Sequence, residues 1–210
     1  MTMKTVLTTL TGLAAIAILT FTSPTQAQQP QIDAATVDRY VASLWAKIPE
    51  DWKQRNTQDE TQKICSVTNN QPTDAQAKAI TARELAAVKF PADGKMIGDW
   101  KKGQQVAQRG SGGQFSDQAD TYRGGNCYAC HQLSRQELSY GTLGPSLLEY
   151  GKLKDFKPEE AKAAFAKIYN AQSQLACSTM PRFGHTGFLT EEQIKDAVAY
   201  LFDKDSPVNK

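Results

Sequence analysis

The chain has 210 residues, with 24 Lys and Arg side chains against 22 Asp and Glu and a formal net charge of +2 at pH 7. This near balance excludes a protein that binds nucleic acid through bulk charge, and no basic run is typical of a lipid-binding patch. The part after residue 27, about 183 residues, is large enough for one core with a substantial extension.

The first 27 residues are typical of a secretory signal peptide. Lys4 is followed by an uncharged run from Thr5 to Phe21, and small residues stand three and one positions before a cut after Ala27. An uncleaved anchor helix is the alternative, but the run is short for a membrane span. No second apolar run of spanning length follows, so we predict an exported mature protein without a membrane span.

Residues 28–95 are predicted to form a helical extension. A helix is expected over residues 33–48, with Pro49 ending it, because the apolar positions recur at a helical period. These positions are Val37, Val41, Leu44, Trp45 and Ile48. A second helix is expected from a cap at Thr73 or Asp74 to Lys89, with an inner face of Ala77, Ile80, Leu85 and Val88. A polar stretch with Cys65 lies between the two helices, and a loose linker is the alternative for the whole segment.

Residues 96–210 are predicted to form a second region. Asp99 to Gln108 can form a short helix in which Gly103 leaves room for close approach by another element. A Gly/Ser-rich loop, RGSGGQ, follows and leads to a short cysteine motif.

The motif is Cys127-Tyr128-Ala129-Cys130-His131. C-x-x-C-H is the signature of covalent c-type haem attachment, in which two cysteines form thioethers and the histidine binds iron. A thioredoxin-like dithiol would need a βαβ setting that the sequence lacks. A zinc site would need a second ligand pair, for which only Cys65 and Cys177 are available. The motif therefore predicts a covalently bound haem c.

Two elements follow the motif. The segment GTLGPSLLEYG, residues 141–151, is predicted to be a turn-rich loop containing Pro145. Pro158 suits the first position of a helix running to about Tyr169, with Glu159 and Glu160 complementing its dipole.

The loop around residue 180 offers a sixth ligand for the iron. Met180 precedes Pro181, which biases it towards an extended conformation in a loop rather than on an apolar helical face. The other donors weighed are His185, Met96 and Cys177; Met96 is expected to serve in packing and His185 to lie at the surface or a pocket edge. Ligation by His131 and Met180 raises the reduction potential and fills both axial positions, which favours electron transfer over catalysis on iron.

The two remaining cysteines, Cys65 and Cys177, are predicted to form a disulfide because spare thiols usually pair in an oxidising compartment. A pair of free buried thiols is the alternative.

The last helix is expected to begin at a capping box formed by Thr190 and Gln193. Its inner face is predicted to carry Ile194, Val198 and Leu201, and Tyr200 and Phe202 could press on the region of Gly103.

This order of parts, over roughly residues 96–204, resembles the class I cytochrome c fold. The resemblance implies an all-α chain made of a signal peptide (1–27), a helical extension (28–95) and a cytochrome c domain (96–210). It also implies that a backbone carbonyl in the Gly144-Pro145 loop accepts the second ring N–H of His131 and keeps the imidazole neutral.

The segments GNCYACH, GTLGPSL, MPRFG and FLTEEQIKDAVAYL, preceded by a helical extension, are similar to those of the SoxX family of monohaem cytochrome subunits. The resemblance implies one covalent haem c and a periplasmic heterodimer with a SoxA-like cytochrome. It further implies L-cysteine S-thiosulfotransferase activity on a SoxYZ-like carrier protein, with a soluble cytochrome c accepting the electrons. No catalytic residue for the sulfur chemistry is carried over. A free-standing periplasmic electron carrier and a haem-based gas sensor are the alternatives.

Overall fold

The computed structural model describes residues 32–48, 52–53, 57–114, 116–118 and 120–210, and within these ranges all regular structure is helical. The predicted signal peptide and Pro49 lie outside the described residues. The α-helices are α1 (Ala34–Leu44), α2 (Glu60–Val67), α3 (Asp74–Ala86), α4 (Trp100–Gln108), α5 (Tyr150–Leu153), α6 (Pro158–Tyr169) and α7 (Glu191–Phe202). Short 3₁₀ helices span Cys127–Ala129, Ala171–Ser173 and Pro207–Asn209. The all-α prediction is confirmed.

Side-chain caps set where these helices begin. Capping boxes start α2 at Asp59 with Gln62, α3 at Thr73 with Gln76, and α7 at Thr190 with Gln193. In each box the cap side chain accepts the third backbone N–H while the Gln side chain accepts the cap's own N–H, so two otherwise unpaired donors are satisfied. Asp99 caps α4, and Pro158 occupies the first turn of α6.

The extension differs from its prediction in four places. Helix α3 ends at Ala86 rather than at Lys89. The first helix ends at Leu44 rather than at residue 48, and the side chains of Tyr40 and Leu44 are exposed. Without packing on an apolar face, little holds a further turn in place. Helix α2, which carries Cys65, was predicted as an irregular polar stretch. On α3, Leu85 was expected to face inward but is exposed, and Glu84 is buried in its place.

Helices α4 and α7 cross in close contact at Gly103. A Cβ atom at this position would overlap the backbone oxygen of Asp196 and would lie 2.9 Å from the Cβ of Tyr200. Glycine is therefore required for the backbones to approach this closely. Tyr200 contacts Gly103 as predicted, whereas the Phe202 ring packs edge-on against Tyr150, with 5.5 Å between ring centroids.

The main core lies between α4, α6 and α7. Its fully buried side chains include Val106, Phe165, Ile194, Val198 and Tyr200, and Val208 of the last 3₁₀ helix is also enclosed. Burying a side chain of this size contributes about 1.5–3 kcal/mol each to the free energy of folding before conformational entropy is subtracted.

The extension joins this core in one compact unit that spans Gln31 to Lys210. Helix α3 packs against the 3₁₀ helix Ala171–Ser173, and α1 packs on α2. The predicted boundary between residues 95 and 96 therefore separates two segments of sequence that are in contact in the folded chain.

Among the helices that the structure describes, none combines the length and the apolar character required to cross a bilayer.

Candidate haem site

The cysteine motif is held against α4 by backbone hydrogen bonds. The N–H of Gly125 donates to Val106 (2.7 Å), and the N–H of Asn126 donates to Arg109 (2.9 Å). Asn126 takes a left-handed conformation, with φ 47° and ψ 46°, which Asn adopts more readily than most residues. The chain can therefore turn sharply into the motif.

From Cys127 to His131 the backbone makes one tight turn. Cys127 starts a 3₁₀ helix, and its carbonyl accepts the N–H of Cys130 (3.1 Å) and of His131 (2.9 Å). The two thiols and the imidazole are thereby fixed within a single turn. This is the compact arrangement that attachment of two sulfurs and one nitrogen to a single haem requires.

Cys127 does not have the electrostatics of the attacking cysteine in a reactive dithiol. Burial raises the pKa of the Cys127 thiol to about 12, whereas a redox-active pair lowers the pKa of its attacking cysteine. A zinc site is disfavoured as well, because Cys65 and Cys177 are bonded to each other. Cys127 and Cys130 are free thiols in the polypeptide.

The ring of His131 is oriented by the loop that contains Pro145. The Nδ1–H of His131 donates to the carbonyl oxygen of Pro145 at 2.7 Å, which leaves Nε2 as the free lone-pair donor. A Cβ atom at Gly144 would overlap the imidazole ring, so glycine allows the loop backbone to lie directly on it. This contact is the one implied by the resemblance to class I cytochromes c.

The clamp is also linked to α7. Tyr128, between the two cysteines, is buried, and its hydroxyl lies 2.7 Å from that of Tyr200. Burial and this hydrogen bond raise the pKa of Tyr200, so its phenol stays protonated at any physiological pH. The motif is thus connected to the same α4–α7 contact that Gly103 permits.

Met180 lies in the loop between the 3₁₀ helix Ala171–Ser173 and α7 and is half-buried. It borders a cavity of about 460 Å³, which falls in the range of ligand sites. The lining consists of Gln62, Gln172, Ser178, Met180, Pro181, Arg182, Phe183, Thr186 and Phe188. The motif residues lie outside that lining, but Met180 and Cys127 both pack against the main apolar core. Iron ligation by Met180 stays a prediction.

The other residues that could supply the sixth iron ligand have different contacts. His185 is partly exposed, and its Nε2 lies 3.9 Å from the carboxylate of Asp59. Met96 packs against the main core, as expected. Cys177 is bonded to Cys65 in the predicted disulfide, which ties α2 to the loop that carries Met180.

A buried network of charged groups next to Met180 was not predicted. Arg182 and Glu84 are both buried, and the guanidinium lies 2.6 Å from the carboxylate of Asp59 and 3.5 Å from that of Glu84. Asn170 donates a further hydrogen bond to Glu84 (2.7 Å). One signal was available in the sequence, since Glu84 follows the buried Ile80 by four residues and so shares its face of α3.

Burial and charge act in opposite directions on the two carboxylates. Burial raises the pKa of Glu84, but hydrogen bonds from Thr61 and Asn170 and the charge of Arg182 outweigh it, so the net pKa is lowered. For Asp59 the balance is the same. Burial raises the pKa, but the backbone N–H of Gln62 together with Arg182 lowers it by more, so the net pKa is lowered. Both carboxylates are therefore ionised at neutral pH.

Comparison with known proteins agrees with this geometry. The sequence profile of the family described as "Cytochrome c" matches residues 100–203. A protein of Aquifex aeolicus (strain VF5), named "Uncharacterized lipoprotein", is 36% identical over 187 residues, which cover 88% of this chain and 88% of the relative. Residues 100–203 therefore belong to the cytochrome c family, and this domain makes the chain an electron-transfer haem protein. The Aquifex protein is a relative over most of the length of the chain.

The residues present fit a covalently bound haem c, which this family implies. Two thiols within one turn would form the thioethers, and Nε2 of His131 would bind iron with its ring fixed through Pro145. Met180, which lines the cavity together with Phe183 and Phe188, would supply the second iron ligand.

Proposed function

We propose that the chain is the electron-transfer haem subunit of an exported SoxAX-type complex with L-cysteine S-thiosulfotransferase activity. In that reaction, a carrier cysteine thiol loses its proton and forms an S–S bond with the sulfane sulfur of thiosulfate, and two electrons are released. The partners would be a SoxA-like cytochrome, a SoxYZ-like carrier as substrate and a soluble cytochrome c as electron acceptor. The similarity of four sequence segments to the SoxX family supports this proposal.

A single haem c would supply a one-electron couple in this chain. His131 and Met180 would hold the iron, and a thioether ligand would raise the reduction potential and favour electron transfer over chemistry on iron. The role of the protein is then to hold the imidazole through Pro145, to hold the thioether in its loop and to exclude water with the surrounding aromatic rings.

The observation that carries the subunit proposal is an apolar surface at the edge of the clamp. Leu138 is fully exposed (100%), Leu143 is 86% exposed, and Tyr140 is also exposed. These three side chains, the clamp-edge patch, lie on a loop that is fixed to the motif by backbone hydrogen bonds from Gly141 to Tyr128 (2.8 Å) and from Gly144 to Cys130 (2.9 Å). Exposed apolar side chains that adjoin one another are typical of protein interaction sites, and these three lie within six residues of sequence.

Export is supported by two further observations. The Cys65–Cys177 disulfide is typical of proteins that fold in an oxidising compartment, and the Aquifex relative is named a lipoprotein. A lipid on cysteine is not carried over to this chain, because its four cysteines form the disulfide and the haem motif.

Binding of the haem-loaded chain to a SoxA-like subunit tests this proposal by size-exclusion chromatography. We expect a 1:1 complex, and we expect the double variant Leu138→Ser/Leu143→Ser to weaken it at least about tenfold, since each truncated apolar contact at an interface centre costs about 1 kcal/mol or more. Leu85→Ser, an exposed leucine on α3, is the matched control. A chain that stays monomeric and exchanges electrons unaided with several donors would instead be a free-standing carrier.

A further inference from the structure

The loop that carries Met180 is attached to the extension on both sides of the methionine. Cys177 lies three residues before it and Arg182 two residues after it. Both side chains leave the loop and reach α2 or α3 of the extension. The extension therefore contacts the cytochrome c domain at the segment expected to supply the sixth ligand.

The attachment before Met180 is the disulfide. Cys65 and Cys177 are each 7% exposed and form a small apolar cluster of their own with Ile80 of α3. The backbone N–H of Cys177 also donates to the side chain of Gln172 (3.0 Å). The loop is thus fixed to α2 by a covalent bond that is shielded from solvent.

The attachment after Met180 is the side chain of Arg182, which is 8% exposed. It contacts two carboxylates of the extension: that of Asp59, which caps α2, at 2.6 Å, and that of Glu84 on α3 at 3.5 Å. A guanidinium presents its donors in a rigid fork, so two carboxylates at fixed positions restrict both its place and its orientation.

Glu84 is itself held in place. One carboxylate oxygen accepts a hydrogen bond from Asn170 (2.7 Å), and the other accepts the hydroxyl proton of Thr61 on α2. Because Arg182 and Glu84 are both buried, moving Arg182 out of the network would take a buried cation away from a buried carboxylate. The network therefore resists displacement of the loop.

Met180 needs such support more than a histidine ligand would. A methionine side chain has three rotatable bonds, and loops are more mobile than helices. Gln62 of α2 lines the same cavity as Met180, so the extension also borders the space the thioether would face.

We propose that the amino-terminal extension is a positioning element for the sixth haem ligand, and that Asp59, Glu84, Arg182 and the Cys65–Cys177 disulfide are its positioning groups. They keep the Met180 loop closed and so lower the population of molecules in which the thioether is off the iron. This rests on ligation by His131 and Met180, as set out above.

The proposal is tested by titrating the ferric, haem-loaded protein with imidazole, which competes with Met180 for the iron. Glu84→Gln and the double variant Cys65→Ser/Cys177→Ser are compared with Asp74→Asn. Asp74 lies on the same helix as Glu84 but is exposed in its first turn. If the loop opens about ten times more often, imidazole binds about tenfold more tightly. We expect that gain in Glu84→Gln and in the double variant, with the thioether-to-iron charge-transfer band weakened, and no more than about a twofold change in Asp74→Asn.

Removing a buried partner can also unfold the chain, so a rescue series accompanies the titration. Arg182→Lys retains the charge without the fork, and Arg182→Gln loses both. We expect imidazole affinity to increase in the order wild type, Arg182→Lys, Arg182→Gln, with helix content unchanged by circular dichroism. Folded variants whose imidazole affinity and charge-transfer band equal those of wild type would overturn the proposal.

Met180→Ala separates this proposal from the ligand assignment. It should remove the charge-transfer band and bind imidazole more tightly than any variant of the extension. If Met180→Ala behaves as wild type, then Met180 is not the sixth ligand and both proposals fail. If Met180→Ala changes while the extension variants do not, only the positioning role is refuted.

Discussion

The cytochrome c domain and the extension are held in place by different kinds of interaction. The domain has a continuous apolar core between α4, α6 and α7, with a glycine that brings two helices into backbone contact. The extension packs Val88 and Phe90 against that core and is further joined to the domain through one disulfide and the ion pairs of the buried Arg182 and Glu84. Apolar burial depends little on pH or redox conditions. The disulfide, in contrast, depends on redox conditions, and the ion pairs depend on pH. The two regions should therefore respond differently to the same treatment.

The largest difference is expected from removal of the disulfide. Cys65 and Cys177 are separated by 112 residues, and closing a loop of that length lowers the entropy of the unfolded chain enough to stabilise the fold by about 4–5 kcal/mol. Urea unfolding of the haem-loaded Cys65→Ser/Cys177→Ser variant should show this loss. Hydrogen exchange should increase in α2 and α3 before it increases in α4 and α7. An equal increase in hydrogen exchange in all four helices would show that the two regions do not differ in this way.

A smaller effect is expected from a change in the domain alone. Gly103→Ala places a methyl group against Asp196 and Tyr200, and overpacking of this kind costs about 1–3 kcal/mol. Exchange in α4 and α7 should increase while α2 and α3 keep their protection. Ala82→Ser, on the exposed face of α3, is a control that should leave stability within about 0.5 kcal/mol of wild type. A Gly103→Ala protein as stable as the control would contradict the close contact.

The smallest effect expected is a pH dependence that belongs to the extension. The pKa values of Asp59 and Glu84 lie below their ordinary values of 3.8 and 4.5. A lowered carboxyl pKa contributes stability that is complete above the ordinary value and is lost as pH falls through the lowered one. The free energy of unfolding should therefore decrease below about pH 4.5, as Asp59 and Glu84 are protonated and lose their ion pairs with Arg182.

Glu84→Gln sharpens that test because it removes one of the titrating groups. Between about pH 5 and pH 2, the free energy of unfolding of this variant should change less steeply with pH. The reason is that up to one proton fewer is taken up on unfolding. Arg83 and His185, the other charged or titratable neighbours of the two carboxylates, are retained. Parallel slopes for wild type and variant would mean that Glu84 does not titrate with unfolding.

The same contrast explains which features could be predicted from the sequence. The C-x-x-C-H motif, the caps at Asp99 and Thr190 and the helix beginning at Pro158 depend on residues close together in sequence, and local physical rules apply to them. The disulfide could be predicted because export leaves few uses for two spare cysteines. The capping box of Asp59 and Gln62 was also visible, although an eight-residue helix with a mixed pattern gives a weak periodic signal.

The buried charges could not be predicted in the same way. Arg182 and Glu84 are 98 residues apart, and no local pattern indicates that a loop arginine reaches a particular glutamate on a distant helix. The inner face of α3 was assigned to Leu85 because apolar residues are usually the ones that are buried. Once Arg182, Asn170 and Thr61 satisfy its carboxylate, Glu84 is buried instead and the helix turns Leu85 towards solvent.

The most direct test of the account is the intact mass of the mature protein, produced in a host that matures c-type cytochromes and analysed after denaturation without reduction. We predict the mass of the polypeptide plus one haem, less two hydrogens for the Cys65–Cys177 bond, with the haem retained on the peptide that contains Cys127 and Cys130. A colourless polypeptide without the added mass of a haem would contradict it.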